Sequence, residues 1–208
     1  MSINTTMAIY KTWRTQVEAT WQGHFGDEYT DRNMYISAQR MYFWQKIGRG
    51  YKPQSALEVG CNHGINLRYL SEYVDSHQLY GLDINYHALE QAREYSPCIN
   101  YVWGSAFDLP FKDDFFDLVF TVGVLIHHHP DSLSAVMQEI LRCSKHYVLA
   151  VEYAEKEFTE VPYRGLSAAL FKGPYDALYR RMGLKLLETG NLAKNQGFDD
   201  CTYWMFSK

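Results

Sequence analysis

With 208 residues, 47% of them hydrophobic, the chain suits one compact domain with a sizeable core. A formal net charge of −4 supplies no basic field, which argues against nucleic acid or an anionic membrane surface as partner. The four cysteines (Cys61, Cys98, Cys143, Cys201) form no C-x-x-C pair and no regular framework, so reduced thiols in a cytoplasm are expected.

No basic segment followed by an apolar run opens the sequence, so no signal peptide is expected, and no apolar stretch is long enough to span a bilayer. The first fifty residues are crowded with aromatic side chains. Tyr10, Trp13, Val17 and Trp21 fit helical spacing, and Ile36, Phe43, Trp44 and Ile47 fit a second helix. The rings are expected to pin these helices to the edge of a sheet. Between the helices lies GHFGDEYTDRN (23–33), read as a glycine-containing charged loop.

The segment ALEVGCNHG (56–64) reads as a buried strand running through a glycine-hinged turn into the helix INLRYLSEYV (65–74). A dinucleotide fingerprint G-x-G-x-x-G started at Gly60 would need glycine where Asn62 and Ile65 stand. Glu58, at the strand end, would repel a pyrophosphate and favour a cationic ligand such as an amine or a sulfonium.

QLYGLDI (78–84) is a second strand ending in Asp83, about twenty residues past the first glycine, where a doubly wound sheet places the acid that binds ribose hydroxyls. A helix (86–95), a third strand (100–106), the turn FDLPFKDD (107–114) and a fourth strand (115–124) follow. Leu133, Val136, Met137, Ile140 and Leu141 mark an amphipathic helix, with Asp131 its candidate N-cap. HYVLAVEY (146–153) is a fifth strand. Residues 154–173 have no clean period, and a short helix (174–182) and strands at 184–187 and 202–206 complete the chain. The expectation is an α/β, doubly wound, Rossmann-like and mostly parallel seven-stranded sheet with helices on both faces. Within a single domain, residues 1–50 would form a helical lid, 51–153 the cofactor-binding core, and 154–208 the substrate side and last strands.

ALEVGCNHG, YGLDI, GSAFDLPF and FDLVFTVGVLIHHHPD resemble, in order and spacing, the motifs of class I S-adenosylmethionine-dependent methyltransferases across residues 55–153. The resemblance implies S-adenosylmethionine as cofactor. Glu58 and the turn Gly60, Cys61, Asn62 and Gly64 would hold its methionine part, Asp83 the ribose, and Ile84 the adenine face. Ser105 and Ala106 would touch the adenine edge, with Val122 at the end of the fourth strand. Asn62 replaces a common third glycine. Ser105 replaces a common aspartate, so the adenine-amine contact passes to the Ser105 hydroxyl, to Asp108, or to backbone. WQGHFGDEYTDRN, CNHG, GVLIHHHPDSL and YRGLSAALFKGPY are further similar to methyltransferases of pseudaminic acid and related surface-sugar biosynthesis, which implies a hydroxyl or amine of a sugar or sugar acid as methyl acceptor.

His127 and His128 follow the fourth strand at the ligand-binding edge, and imidazole titrates near neutrality, so they are candidate bases. Against this, rings at the start of a helix also cap it or pack on backbone. Tyr29 is the third catalytic candidate. Arg32 is a candidate partner for a carboxylate of the cofactor or substrate, its bland alternative being a surface pair with Asp31 or Glu28. Asn33, Tyr163 and Arg164 are candidate substrate contacts, with Lys172 a weaker one. No metal is expected, since three consecutive histidines cannot easily aim at one ion. Partners are limited to a small-molecule acceptor, possibly anionic, for a monomer or homodimer. Two other readings stand beside methyl transfer: a non-catalytic S-adenosylmethionine-binding module, and a nicotinamide oxidoreductase.

Overall fold

The computed structural model describes residues 3–33 and 37–208, the side chains of 3–10 excepted. Ile36 and the Tyr10 side chain therefore lie outside the described residues. Helices α1 (Ile3–Gln22), α2 (His24–Arg32) and α3 (Arg40–Tyr51) precede β1 (Ala56–Val59), α4 (Ile65–Leu70), β2 (Leu79–Asp83), α5 (Tyr86–Tyr95), β3 (Asn100–Trp103) and β4 (Phe116–Val122). Then come α6 (Pro130–Cys143), β5 (Ser144–Glu152), β6 (Thr159–Glu160), β7 (Phe171–Lys172), α7 (Tyr175–Arg181), β8 (Lys185–Leu192) and β9 (Cys201–Ser207).

Seven strands form one sheet in the order β3-β2-β1-β4-β5-β9-β8, parallel except for β9, which runs antiparallel to both neighbours. This is the α/β, mostly parallel architecture expected. Its central strands are apolar on both sides because both faces are covered. Leu118 and Phe120 pack with Trp44 of α3, Leu67 of α4 and Leu89 of α5, whereas Val119 and Val148 pack with Leu133 and Met137 of α6 and Tyr179 of α7. The chain winds outward from β1 to β3, then returns to β4 on the other side of β1. The crevice for a ligand is therefore at the carboxyl ends of β1 and its neighbours.

Several local expectations are corrected. Residues 24–32 are helix α2, not a loop. Gly26 sits inside that helix because a Cβ there would lie 1.9 Å from the Trp21 carbonyl oxygen and 2.7 Å from Asn85 Nδ2. The glycine permits close packing rather than a bend. The cap of α6 is His129, whose Nδ1 accepts from the Asp131 backbone N–H at 3.2 Å, with Pro130 at the first helical position. Helix α4 stops at Leu70, short of the 74 expected. Strand β3 stops at Trp103, and Ser105 and Asp108 form a small bridge in the turn beyond it. Strand β8 continues to Leu192 through Gly190, over which the Tyr203 ring lies too close for a Cβ. Part of the irregular stretch 154–173 folds into the two-residue strand pair β6–β7.

Candidate active site

A cavity of 720 Å³ lies at the carboxyl ends of β1, β2 and β4 and is walled by α1 and α2. The turn after β1 forms its floor. Gly60 and Gly64 have φ of 72° and 74°, and Asn62, where a third glycine was expected to be common, adopts the same left-handed region with φ 48°. Asparagine tolerates that region, and its Oδ1 accepts from the His63 N–H at 2.7 Å. A Cβ at Gly60 would meet Val124 at 2.5 Å, and one at Gly64 would meet the Tyr101 hydroxyl at 2.3 Å.

All five backbone N–H groups of this turn have internal acceptors. Those of Gly60 and Cys61 donate to the Leu82 carbonyl, that of Asn62 to Asp83 Oδ2, that of His63 to Asn62 Oδ1, and that of Gly64 to the Cys61 carbonyl. A phosphate-binding turn aims its N–H groups at the ligand. This one does not, which physically disfavours a dinucleotide.

Glu58 is buried, at 1% exposure. Its Oε1 accepts from Asn66 Nδ2 at 2.6 Å, whereas Oε2 has no hydrogen-bond partner among the described residues. Burial pushes its pKa up to about 8, against the opposing Asn66 hydrogen bond. Asn66 in turn accepts from Trp44 Nε1 at 3.1 Å and from the Arg40 guanidinium at 3.3 Å. A buried acid lining the cavity with one unpartnered oxygen suits a cationic ligand.

Asp83, at the end of β2, accepts from the Asn62 N–H at 2.7 Å and the Asn85 N–H at 2.8 Å. Its pKa is nevertheless raised, burial outweighing those bonds. Asn85 ties this corner to the N-terminal helices. Its Oδ1 caps α5 at the Ala88 N–H, and its Nδ2 donates to the Trp21 carbonyl at 3.0 Å and Asp27 Oδ1 at 2.8 Å. Beyond β3, the Ser105 hydroxyl donates to Glu18 Oε1 at 2.6 Å and accepts from the Phe107 N–H at 3.2 Å. Asp108 is exposed and does not line the cavity.

The three histidines divide. His127 and His128 are buried and line the cavity; His129 stacks on Trp13 with centroids 3.8 Å apart and caps α6. His127 Nδ1 lies 2.7 Å from the Ala169 carbonyl, and His128 Nδ1 lies 3.0 Å from the Val124 carbonyl. A carbonyl only accepts, so each ring carries its proton on Nδ1 and leaves Nε2 as the acceptor. Burial holds both pKa values down to about 4, so both rings are neutral near pH 7.

Tyr29 and Tyr163 also line the cavity, with an aromatic wall around them. The Trp21 ring lies 5.1 Å from Tyr29 and 4.5 Å from His127, and His127 lies 5.2 Å from Tyr163. Burial raises the Tyr29 pKa above that of an ordinary phenol, which opposes its use as a base and keeps its hydroxyl protonated as a hydrogen-bond donor. Arg32 and Arg164 reach the rim; Arg32 pairs with Glu28 at 3.3 Å. The Asn33 side chain folds back to donate to the Tyr29 carbonyl at 2.7 Å, although the residue lines the cavity. Ile84, Ala106 and Val122 line it as well; Gly64 lies just beneath, under Tyr101, and Lys172 lies away from it. Cys61 is a buried thiol whose pKa burial raises well above normal, so it packs rather than reacts.

Sequence reasoning missed Glu18, Arg40, His63, Asn66 and Asp199 as lining residues. Only Asn66 carried a local signal, one turn into the helix that the glycine turn opens. It also missed Glu152 at the end of β5. That fully buried acid accepts from Thr121 Oγ1 at 2.8 Å and from the N–H groups of Val124 and Ile126 at 3.3 Å, and so holds the turn that presents His127 and His128. Burial pushes its pKa up to about 7.

Comparison with known proteins agrees with this geometry. Residues 56–147 match the methyltransferase domain family. A demethylmenaquinone methyltransferase of Lysinibacillus sphaericus is 34% identical over 155 residues, 70% of this chain and 65% of that protein. A phthiotriol/phenolphthiotriol dimycocerosates methyltransferase of Mycobacterium leprae is 28% identical over 133 residues, 56% of this chain and 49% of that protein. The chain thus spans about half the length of that relative. Among solved structures, the Burkholderia thailandensis 1,6-didemethyltoxoflavin-N1-methyltransferase with bound S-adenosylhomocysteine superposes with a TM-score of 0.70 at 13% identity, covering 100% of this chain and 91% of that one. A methyltransferase from Aquifex aeolicus gives 0.66 at 14% identity, over 87% and 97%. The residues present fit an adenosyl-sulfonium cofactor: a buried carboxyl oxygen at β1 with no partner among the described residues, a carboxylate at β2, and a turn whose backbone N–H groups are all engaged. Over residues 56–147 the chain is thus similar to methyltransferase domains, and its fold is that of S-adenosylmethionine-dependent methyltransferase structures.

Proposed function

We propose that the chain transfers a methyl group from S-adenosylmethionine to a hydroxyl or amine of a small polar metabolite, of the sugar or sugar-acid class. When bound, the cofactor supplies an electrophilic methyl group for in-line displacement. Glu58, Gly60, Cys61, Asn62 and Gly64 form the methionine end of its site, with Arg32 at the rim for the carboxylate. Asp83 holds the ribose hydroxyls. Ile84, Ser105 and Ala106 bound the adenine, and Val122 closes the floor.

The acceptor occupies the space between the end of β4 and α2. His127 Nε2 and His128 Nε2 offer neutral lone pairs there, and the Tyr29 hydroxyl orients the acceptor oxygen or nitrogen. Asn33, Tyr163 and Arg164 meet its polar or anionic groups. Helices α1 and α2 act as a lid that excludes water from the transfer. The observation that carries this reading is the buried Glu58, half unpartnered, beside a turn whose N–H groups are all engaged.

One observation favours a second acceptor class. The walls around Trp21, Tyr29 and His127 are aromatic, which also suits a flat conjugated ring. The Lysinibacillus relative is named for such a substrate, demethylmenaquinone.

Titration with S-adenosylmethionine and S-adenosylhomocysteine, followed by transfer of labelled methyl to panels of sugar acids, amino sugars and quinols, tests the proposal. Absence of cofactor binding at millimolar concentration overturns it. Binding without turnover on any panel supports the non-catalytic module instead.

A further inference from the structure

Glu18 belongs to α1, far in sequence from the sheet, yet it lines the cavity next to the turn that follows β3. Two bonds fix it there. Its Oε1 accepts from Ser105 Oγ at 2.6 Å and from Arg14 Nε at 3.0 Å. Oε2 has no hydrogen-bond partner among the described residues, although the side chain is only 25% exposed. The cavity-lining stretch Gly104–Phe107 stands beside it.

The sheet order determines which part of the cofactor meets this corner. Strands β1, β2 and β3 are consecutive neighbours, about 5 Å apart. A ligand with its amine toward Glu58 and its ribose on Asp83 therefore extends its base over the end of β3. The exocyclic amine of adenine donates hydrogen bonds and needs an acceptor. The Ser105 hydroxyl gives its proton to Glu18 and already accepts from the Phe107 N–H, which leaves it a poor acceptor. Asp108 is exposed and does not line the cavity. Glu18 offers a carboxylate, and a charged acceptor bonds about twice as strongly as a neutral one.

We propose that Glu18, supplied by the N-terminal helix and oriented by Ser105 and Arg14, accepts the hydrogen bond of the cofactor's adenine amine and makes the site selective for adenine. This rests on the cofactor site described above. The carboxylate that the turn after β3 lacks is delivered by α1, so the helix that covers the site also reads the base.

The test compares binding of S-adenosylhomocysteine with its 6-oxo analogue, S-inosylhomocysteine, by calorimetry. The 6-oxo group accepts where the amine donated and confronts the carboxylate with like polarity. The wild-type chain is expected to prefer the adenosyl form by about tenfold or more, the scale of a charge-assisted hydrogen bond. In Glu18→Gln, the amide oxygen still accepts from Ser105 while its NH2 now donates, so the preference is expected to shrink to near unity or invert. Ser105→Ala, which frees the carboxylate from its anchor, is expected to reduce the preference less. Circular dichroism of both variants checks that α1 remains folded. A wild-type chain that binds both analogues equally overturns the proposal, as does an undiminished preference in Glu18→Gln. Failure of the wild-type chain to bind either analogue removes the cofactor reading itself, a different result from loss of base selectivity alone.

Discussion

Asn66 Nδ2 donates to Glu58 Oε1 at 2.6 Å, a side-chain hydrogen bond to a buried acid that lines the cavity. The same amide accepts from Trp44 Nε1 and the Arg40 guanidinium, so it couples α3 to the end of β1. Replacing it strands a buried carboxyl and a buried indole N–H together. Asn66→Leu is expected to lower unfolding free energy by about 1–3 kcal/mol, the cost of buried polar groups left without partners. Urea denaturation measures it, and unchanged stability would show that water replaces the amide.

Protonation at Glu58 should be linked to cofactor binding. Its pKa of about 8 leaves it largely neutral at pH 7 in the free chain. A cationic ammonium or sulfonium nearby favours the ionised form, so binding releases a proton and affinity rises with pH until about pH 8. Calorimetry at pH 7 in buffers of different ionisation enthalpy should give buffer-dependent heats. The dependence should vanish in Glu58→Gln; its persistence there would assign the proton to another group.

Stability should vary with pH in two regimes. His127 and His128 have folded-state values near 4, below the ordinary 6.5, so the stability they contribute is present above 6.5 and is lost as pH falls toward 4. Glu58 and Glu152 have folded-state values near 8 and 7, above the ordinary 4.5, so their contribution is full below 4.5 and is lost as pH rises through 7 to 8. Between 4.5 and 6.5 the two pairs oppose each other. Melting temperature should therefore stay nearly flat across that interval and fall from 6.5 to 8 in the cofactor-free chain. A steady rise over the upper interval would contradict the assignment of the buried acids.

Asp83→Ala is expected to weaken S-adenosylhomocysteine binding by about one to a few kcal/mol, from loss of the proposed ribose contact and from the freed N–H groups of Asn62 and Asn85. Unaltered affinity in calorimetry would take the ribose role from this residue.

His127→Ala is expected to lower methyl transfer about 10²-fold, the lower end of general acid–base contributions, and Tyr29→Phe to lower it through lost orientation of the acceptor, both leaving cofactor affinity within error. Full activity of both on the true acceptor would mean that proton transfer is handled elsewhere, for instance at His128.

The sheet was readable because its signals are local. The apolar runs at 56–59 and 116–122, the glycines around Cys61, and Asp83 at a strand end each depend on neighbours in sequence. Helix α2 was hidden because two glycines and six charged or titratable residues in 23–33 imitate loop composition, while the cause of Gly26 lies across the fold at Asn85. Glu18 could not be assigned either, since its partner Ser105 is 87 positions away. Glu152 was hidden inside a strand, where an acid reads as an exposed alternation; it is in fact the hydrogen-bonded support of the turn at 124–126. Cavity-lining residues on the ends of β1, β2 and β4 were thus legible, whereas Glu18 and Arg40, on the covering helices α1 and α3, were not.

The self-satisfied bend between Gly60 and Gly64 bears on which metabolites can interfere with this protein. Adenosine triphosphate shares the nucleoside of the proposed methyl donor but would bring a polyanion to a turn that presents a carboxyl and no free backbone N–H. Competition in the cell should come from amines and thioethers of adenosine, and inhibitor design gains nothing from phosphate mimics here.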